Sequence, residues 1–300
     1  MKLCTFEYEN RREAGIVRGD RILPVSEVNA AAGTKVPDEM LRLIQAGCIE
    51  ELQEVAGGAG EGADASLPLG DVRLCLPYER PPKIWCIGLN YQSHAEDIGA
   101  EQPEEPGSFM KPSSSLFEPG GAIELPPEDI SQEVDAEGEL GLVFGCRCRD
   151  VPLELAGEVL FGYTTTLDMT ALDILRRNPR YLQRSKSFDT FFSFGPVIVT
   201  RDEIDDVTAL EVVTSHNGRE YSRDFVRNMK HRPDSLVSLH AAVMTFEPGD
   251  ILSTGCPKGA RIEPGDRVEA SIEGVGKLRA SVTRRARQPY RVENGPKLAS

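Results

Sequence analysis

The chain has 300 residues and a mass of 32.9 kDa, with 40% hydrophobic and 27% charged residues. That is enough apolar content for one large domain with a smaller companion, and too much for a disordered tail. Thirty-four Lys and Arg against 48 Asp and Glu leave a net charge of -14, which argues against nucleic acid or an anionic membrane as a partner, because both need a basic footprint.

Short strands are predicted at 2–7, 14–17 and 21–25, with Gly19-Asp20 as the hairpin turn between the last two. The opening segment turns acidic at Glu7 without a signal-peptide core, and no apolar run approaches the roughly 20 residues that span a bilayer. Seven scattered cysteines lack the paired spacing of a zinc site, so reduced thiols and a cytoplasmic location are expected. Met40, Leu43, Ile44 and Ile49 predict a helix over 38–56. The glycine-rich stretch 57–66 then marks a boundary between a small N-terminal α+β domain, 1–66, and a main domain, 67–283.

The main domain reads as strands and turns with few helices, an α+β, mostly β fold. A helical turn over 93–98 places His94 and Asp97 three apart on one side, with Glu96 elsewhere. A histidine oriented by an acid is a general-base arrangement. Further along, strand alternation puts Asp135, Glu137 and Glu139 on one face and Leu140, Leu142 and Phe144 on the other. A solvated acidic edge would share that pattern, but the apolar run that follows carries the strand into the core. Three adjacent carboxylates then call for a hard divalent cation such as Mg²⁺, Mn²⁺ or Ca²⁺. Asp168 closes the strand 162–168 and is placed to add a carboxylate, since Thr170 and Asp173 read as a capping box for the helix that follows. Lys186, between small and aromatic residues, is a candidate ammonium for an oxyanion. The loop 254–259 after a strand suits backbone contact with a carboxylate. Residues 284–300 are expected to be a loose tail.

Seven stretches in this order carry a resemblance: Gly88-Leu89-Asn90-Tyr91 with His94, Phe109-Met110-Lys111-Pro112, Glu137-Gly138-Glu139-Leu140, Gly162-Tyr163-Thr164, Asp168 with Thr170, Ala171 and Asp173, Lys186 to Thr190, and Glu247-Pro248-Gly249-Asp250. Together they resemble the fumarylacetoacetate hydrolase family. The resemblance implies a mixed β-roll core, homodimers and a divalent cation, Mg²⁺ or Mn²⁺, held by Glu137, Glu139 and Asp168. It also implies a lid helix carrying His94, Lys186 beside the cation, and a small oxo-acid substrate met by Asn90, Tyr91, Lys111 and Thr254. The implied chemistry is hydrolysis of a carbon–carbon bond in an acylpyruvate-like compound; isomerisation, tautomerisation or decarboxylation of a 2-oxo or 2-hydroxydienoate acid is the alternative. Four positions depart from the family pattern. Asp97 replaces a longer acid, Leu172 and Leu175 replace an Arg and a Gln that help bind substrate, and Cys256 replaces a Thr. The two leucines are expected to face an apolar part of the substrate.

Overall fold

The computed structural model of the protein describes residues 1–58 and 65–287. The chain opens as a meander of Lys2–Tyr8, Arg11–Arg18 and Arg21–Pro24. Glu9 and Asn10 turn the first hairpin with positive φ of 49° and 62°, the twist that suits a two-residue hairpin. The single helix expected over 38–56 is two, Met40–Ala46 and Ile49–Gly58. Gly47 ends the first in a left-handed conformation, φ 64°, and its N–H bonds back to the Ile44 carbonyl. Val25–Ala32 is a helix the sequence reading did not anticipate.

Among the described residues, twelve strands form one large mixed sheet and five form a second. Along the large sheet, Lys2–Tyr8 pairs with Phe192–Thr200, which pairs with Leu160–Ala171 and then with Val134–Phe144. Beyond these lie Ile251–Ser253, Ile84–Gly88 and Gly107–Met110. The strands of the first 58 residues therefore extend the large sheet. Leu3, Ile16, Met40 and Leu43 share a core cluster with Phe192, Phe194 and Ile198. Most of the boundary expected at 57–66 lies outside the described residues. So does 288–300 of the expected tail, while Arg284 still belongs to the last strand, Gly276–Arg284.

The five-stranded sheet packs across the back of the large one. Ala136, Leu167 and Met169 meet Val268, Ala270, Leu278 and Val282 there. Gly138 is the point of closest approach: a Cβ at this position would lie 2.6 Å from Thr214 Oγ1 and 2.9 Å from Ala270 Cβ. The strand Val134–Phe144 is buried along its whole length, so its two faces divide cleanly. Its even positions fill the space between the sheets, and its odd acidic positions face a cavity on the other side. Among the described residues, no helix is long and apolar enough to cross a membrane.

Candidate metal centre and cavity

The antiparallel pairing of Val134–Phe144 with Leu160–Ala171 sets Asp168 opposite Glu137 and Thr166 opposite Glu139. One carboxylate oxygen each from Glu137, Glu139 and Asp168 lie within 4.8 Å of one another, and all three residues are buried. Two lysines face this cluster. Lys186 Nζ donates to Glu137 Oε2 at 2.8 Å and to Asp168 Oδ2 at 2.9 Å, and lies 4.6 Å from the centre of the Phe109 ring. Lys111 pairs with Asp168 Oδ1 and donates to the carbonyls of Met169 at 2.9 Å and Phe191 at 2.8 Å. Thr170 Oγ1 donates to Glu137 Oε1 at 2.5 Å. Glu139 Oε2 accepts from Ser253 Oγ at 2.5 Å and from the Gly255 N–H at 3.0 Å.

The charges do not balance. Burial, reinforced by Asp168 and Glu137, pushes the Glu139 carboxyl up to about 8. Burial also opposes ionisation of Glu137, but the nearby Lys186 and His94, with the hydrogen bonds from Lys186 and Thr170, hold it below the ordinary range. Lys186 loses hydration on burial, yet Asp168, Glu137 and Glu139 raise it overall. For Lys111 burial dominates and lowers it. A carboxyl driven towards its neutral form beside two other acids is the electrostatic deficit that a hard divalent cation relieves. The all-carboxylate donor set fits such an ion.

Above the cluster opens a cavity of about 330 Å³. Its floor carries Glu137, Glu139 and Lys186; a wall of Ile98, Leu172, Leu175, Pro179 and Leu182 is apolar. The helix Gln92–Ile98, ended by left-handed Gly99, brings His94 over the floor. His94 is 9% exposed and its Nδ1 has no hydrogen-bond partner among the described residues. A ring nitrogen of His94, a Glu137 oxygen and Cys256 Sγ also lie within 4.8 Å of one another.

The structure thus brings together His94, Glu137, Glu139, Asp168, Lys186, Leu172 and Leu175. It does not pair His94 with Asp97. Asp97 sits on the more exposed side of the helix and forms an ion pair with Lys258 Nζ at 2.7 Å, so the expected dyad is absent. Nor do Asn90, Tyr91, Lys111 or Thr254 line the cavity. Asn90 Nδ2 donates to the carbonyls of His231 and Thr254 at 2.9 and 2.8 Å, and its Oδ1 accepts from the His231 N–H at 2.9 Å. Tyr91 is enclosed in the core. Thr254 Oγ1 donates to the Leu140 carbonyl at 2.9 Å. These residues hold the strands and loops under the site. Thr170 does not cap a helix either: its strand runs on through Ala171, and its hydroxyl serves Glu137. Asp173 instead accepts from Ser131 Oγ at 2.6 Å. The sequence reading missed Thr170 and Ser253 as partners of the acids. Thr170 had a signal, since two positions along a strand from Asp168 it must share that face; Ser253 had none.

The fold and the site define a two-sheet protein with a buried carboxylate cluster, a candidate cation site, beneath a cavity. Residues 83–283 match the family described as fumarylacetoacetate (FAA) hydrolase C-terminal, and the chain belongs to that family. A human mitochondrial oxaloacetate tautomerase is 32% identical over 250 residues, covering 80% of this chain and 78% of its own. A protein of Archaeoglobus fulgidus is 41% identical over 223 residues, covering 74% of this chain and 86% of its own. Among solved structures, maleylpyruvate hydrolase from Sphingobium sp. SYK-6, in complex with manganese(II) and pyruvate, superposes with a TM-score of 0.78 at 31% identity. That match covers 95% of this chain and 99% of the other. The 2-hydroxyhepta-2,4-diene-1,7-dioate isomerase of Mycobacterium marinum gives 0.72 at 29%, with coverage of 96% and 100%. Hydrolases, isomerases and a tautomerase thus share this architecture.

Proposed function

We propose that this chain is a divalent-cation-dependent enzyme that hydrolyses a carbon–carbon bond in an acylpyruvate-like β-diketo acid bearing an apolar arm. The observation that carries the reading is the two-ended cavity, with acids and Lys186 at the floor and leucines along the wall. Glu137, Glu139 and Asp168 would hold Mg²⁺ or Mn²⁺, which when bound supplies Lewis-acid polarisation of the oxo-acid head. The manganese and pyruvate found in the maleylpyruvate hydrolase structure support this choice. His94 takes a proton from water, and the resulting hydroxide adds to the distal carbonyl. The bond to the acyl carbon breaks, its electron pair stays on the oxo-acid fragment as an enolate, and the Lys186 ammonium stabilises that charge. His94 then returns its proton to the enolate carbon. Leu172, Leu175 and Leu182 hold the acyl arm, and the helix Gln92–Ile98 limits entry of further water.

A second reading is favoured by the ion pair of Asp97 with Lys258, which takes Asp97 away from His94. An imidazole working alone suits proton transfer at carbon, hence tautomerisation or isomerisation of a 2-oxo acid. Mass spectrometry of products from a panel of β-diketo and 2-oxo acids, with Mg²⁺ or Mn²⁺, separates the two. Hydrolysis adds water and gives two fragments, isomerisation keeps the mass, and decarboxylation releases carbon dioxide. No cation-stimulated product from any member of the panel would refute both.

A further inference from the structure

The loop after Ile251–Ser253 carries Cys256 to the cavity wall, and its thiol is 1% exposed as a residue. Its sulfur, a His94 ring nitrogen and a Glu137 oxygen lie within 4.8 Å of one another, all from buried residues. His94 Nδ1 is itself buried, with no hydrogen-bond partner among the described residues, a polar atom in want of a ligand. A sulfur, an imidazole nitrogen and a carboxylate oxygen form a donor set unlike the all-oxygen floor, and soft-to-borderline ions prefer it. Tetrahedral zinc, with bonds of about 2.0–2.3 Å, needs ligand atoms about 3.3–3.8 Å apart, so the three side chains would close by at most about 1.5 Å.

We propose that His94, Cys256 and Glu137 form a second cation site, one that takes a thiophilic divalent ion such as Zn²⁺. It shares only Glu137 with the carboxylate floor. A nucleophilic role for Cys256 is disfavoured, because burial and the adjacent Glu137 and Glu139 push its thiol well above the ordinary range. A dication reverses that field. On binding, the S–H bond breaks, its proton leaves to solvent and the electron pair forms the bond to zinc. Zinc there also occupies His94, so it should silence turnover; that consequence, unlike the binding itself, rests on the function proposed above.

The test uses the full chain in a background where Cys48, Cys146 and Cys148, the thiols not fully buried, are replaced by serine. Cobalt(II) as probe should give a sulfur-to-cobalt charge-transfer band that Cys256→Ala removes. Competition with a chromophoric chelator should show zinc affinity reduced at least about 10- to 100-fold by Cys256→Ala and, independently of how that variant folds, by His94→Ala. Magnesium affinity of Cys256→Ala, read by calorimetry, should not change. Absence of the band in the parent, or zinc affinity indifferent to both substitutions, would overturn the site. Zinc binding without inhibition would keep the site and refute His94 as the base.

Discussion

Asp168 faces an ammonium on each oxygen, Lys111 on Oδ1 and Lys186 on Oδ2, and the two lysines have different duties. Lys111 is locked between two backbone carbonyls out of reach of the cavity, whereas Lys186 lines it. Lys111→Met should strip Asp168 Oδ1 of its ammonium, leaving Lys186 on Oδ2 alone, and cost about 3–5 kcal/mol, read as a lower urea midpoint. Lys186→Met should cost turnover about 10²- to 10³-fold, with the cation site still able to bind. A Lys111→Met protein as stable as the parent would contradict the structural assignment. Glu137→Ala or Glu139→Ala should abolish Mg²⁺ binding by calorimetry while circular dichroism shows the fold retained. At this scale the acids were legible, because alternation along a strand decides which face each occupies. Lys111 was not, since nothing in 109–112 tells an ammonium buried beneath an acid from one that meets a ligand.

The short helix Leu172–Arg177 turns both of its unusual leucines to the cavity, as the spacing of three predicts. Leu172→Arg should therefore set a charge into an apolar wall beside Arg176. We expect kcat/KM for an apolar acylpyruvate to fall about 10²-fold, with a smaller gain for dicarboxylic oxo-acids. Rapid turnover of oxaloacetate by the unmodified protein would contradict the apolar-arm reading. The start of this helix was misread because a Thr-x-x-Asp pattern resembles a cap even where the strand has not yet ended. The helix Pro233–Val243 carries a different test. His240 is 2% exposed, bonds through Nδ1 to the Leu236 carbonyl at 2.8 Å and stacks edge-on against Trp85. Burial lowers its pKa from the ordinary 6.5. Below that value the unfolded chain takes a proton that the folded chain refuses, so stability is lost as pH falls and is fully present above it. Thermal midpoints should decline on acidification through 6.5, and His240→Gln should flatten that part of the slope. An unchanged slope would remove His240 as the cause.

At the scale of the molecule, the strand Lys2–Tyr8 covers one edge of Phe192–Thr200, with Leu3 opposite Ile198 and Cys4 opposite Val197. Composition marked a break at 57–66, but composition does not say which sheet a strand joins. Long-range pairing of this kind leaves no local signature. Removing residues 1–66 should uncover Phe192, Phe194 and an unpaired strand edge, a template for aggregation. Light scattering of the truncated chain should rise at concentrations where the parent is clear; a clear, cooperatively melting truncation would show that the core closes without its first strands.

The strand Val134–Phe144 constrains the protein's history as well as its chemistry. Gaining or losing one residue between Asp135 and Phe144 would exchange its two faces, turning acids against the second sheet and leucines into the cavity. Gly138, pressed against Thr214 and Ala270, would hand its place to a side chain with nowhere to go. Length variation in this strand is therefore forbidden to any descendant that keeps the centre. New substrates must come instead from the pieces that end at the cavity: the helix over the floor, the short helix with its leucines, and the loop that bears Cys256.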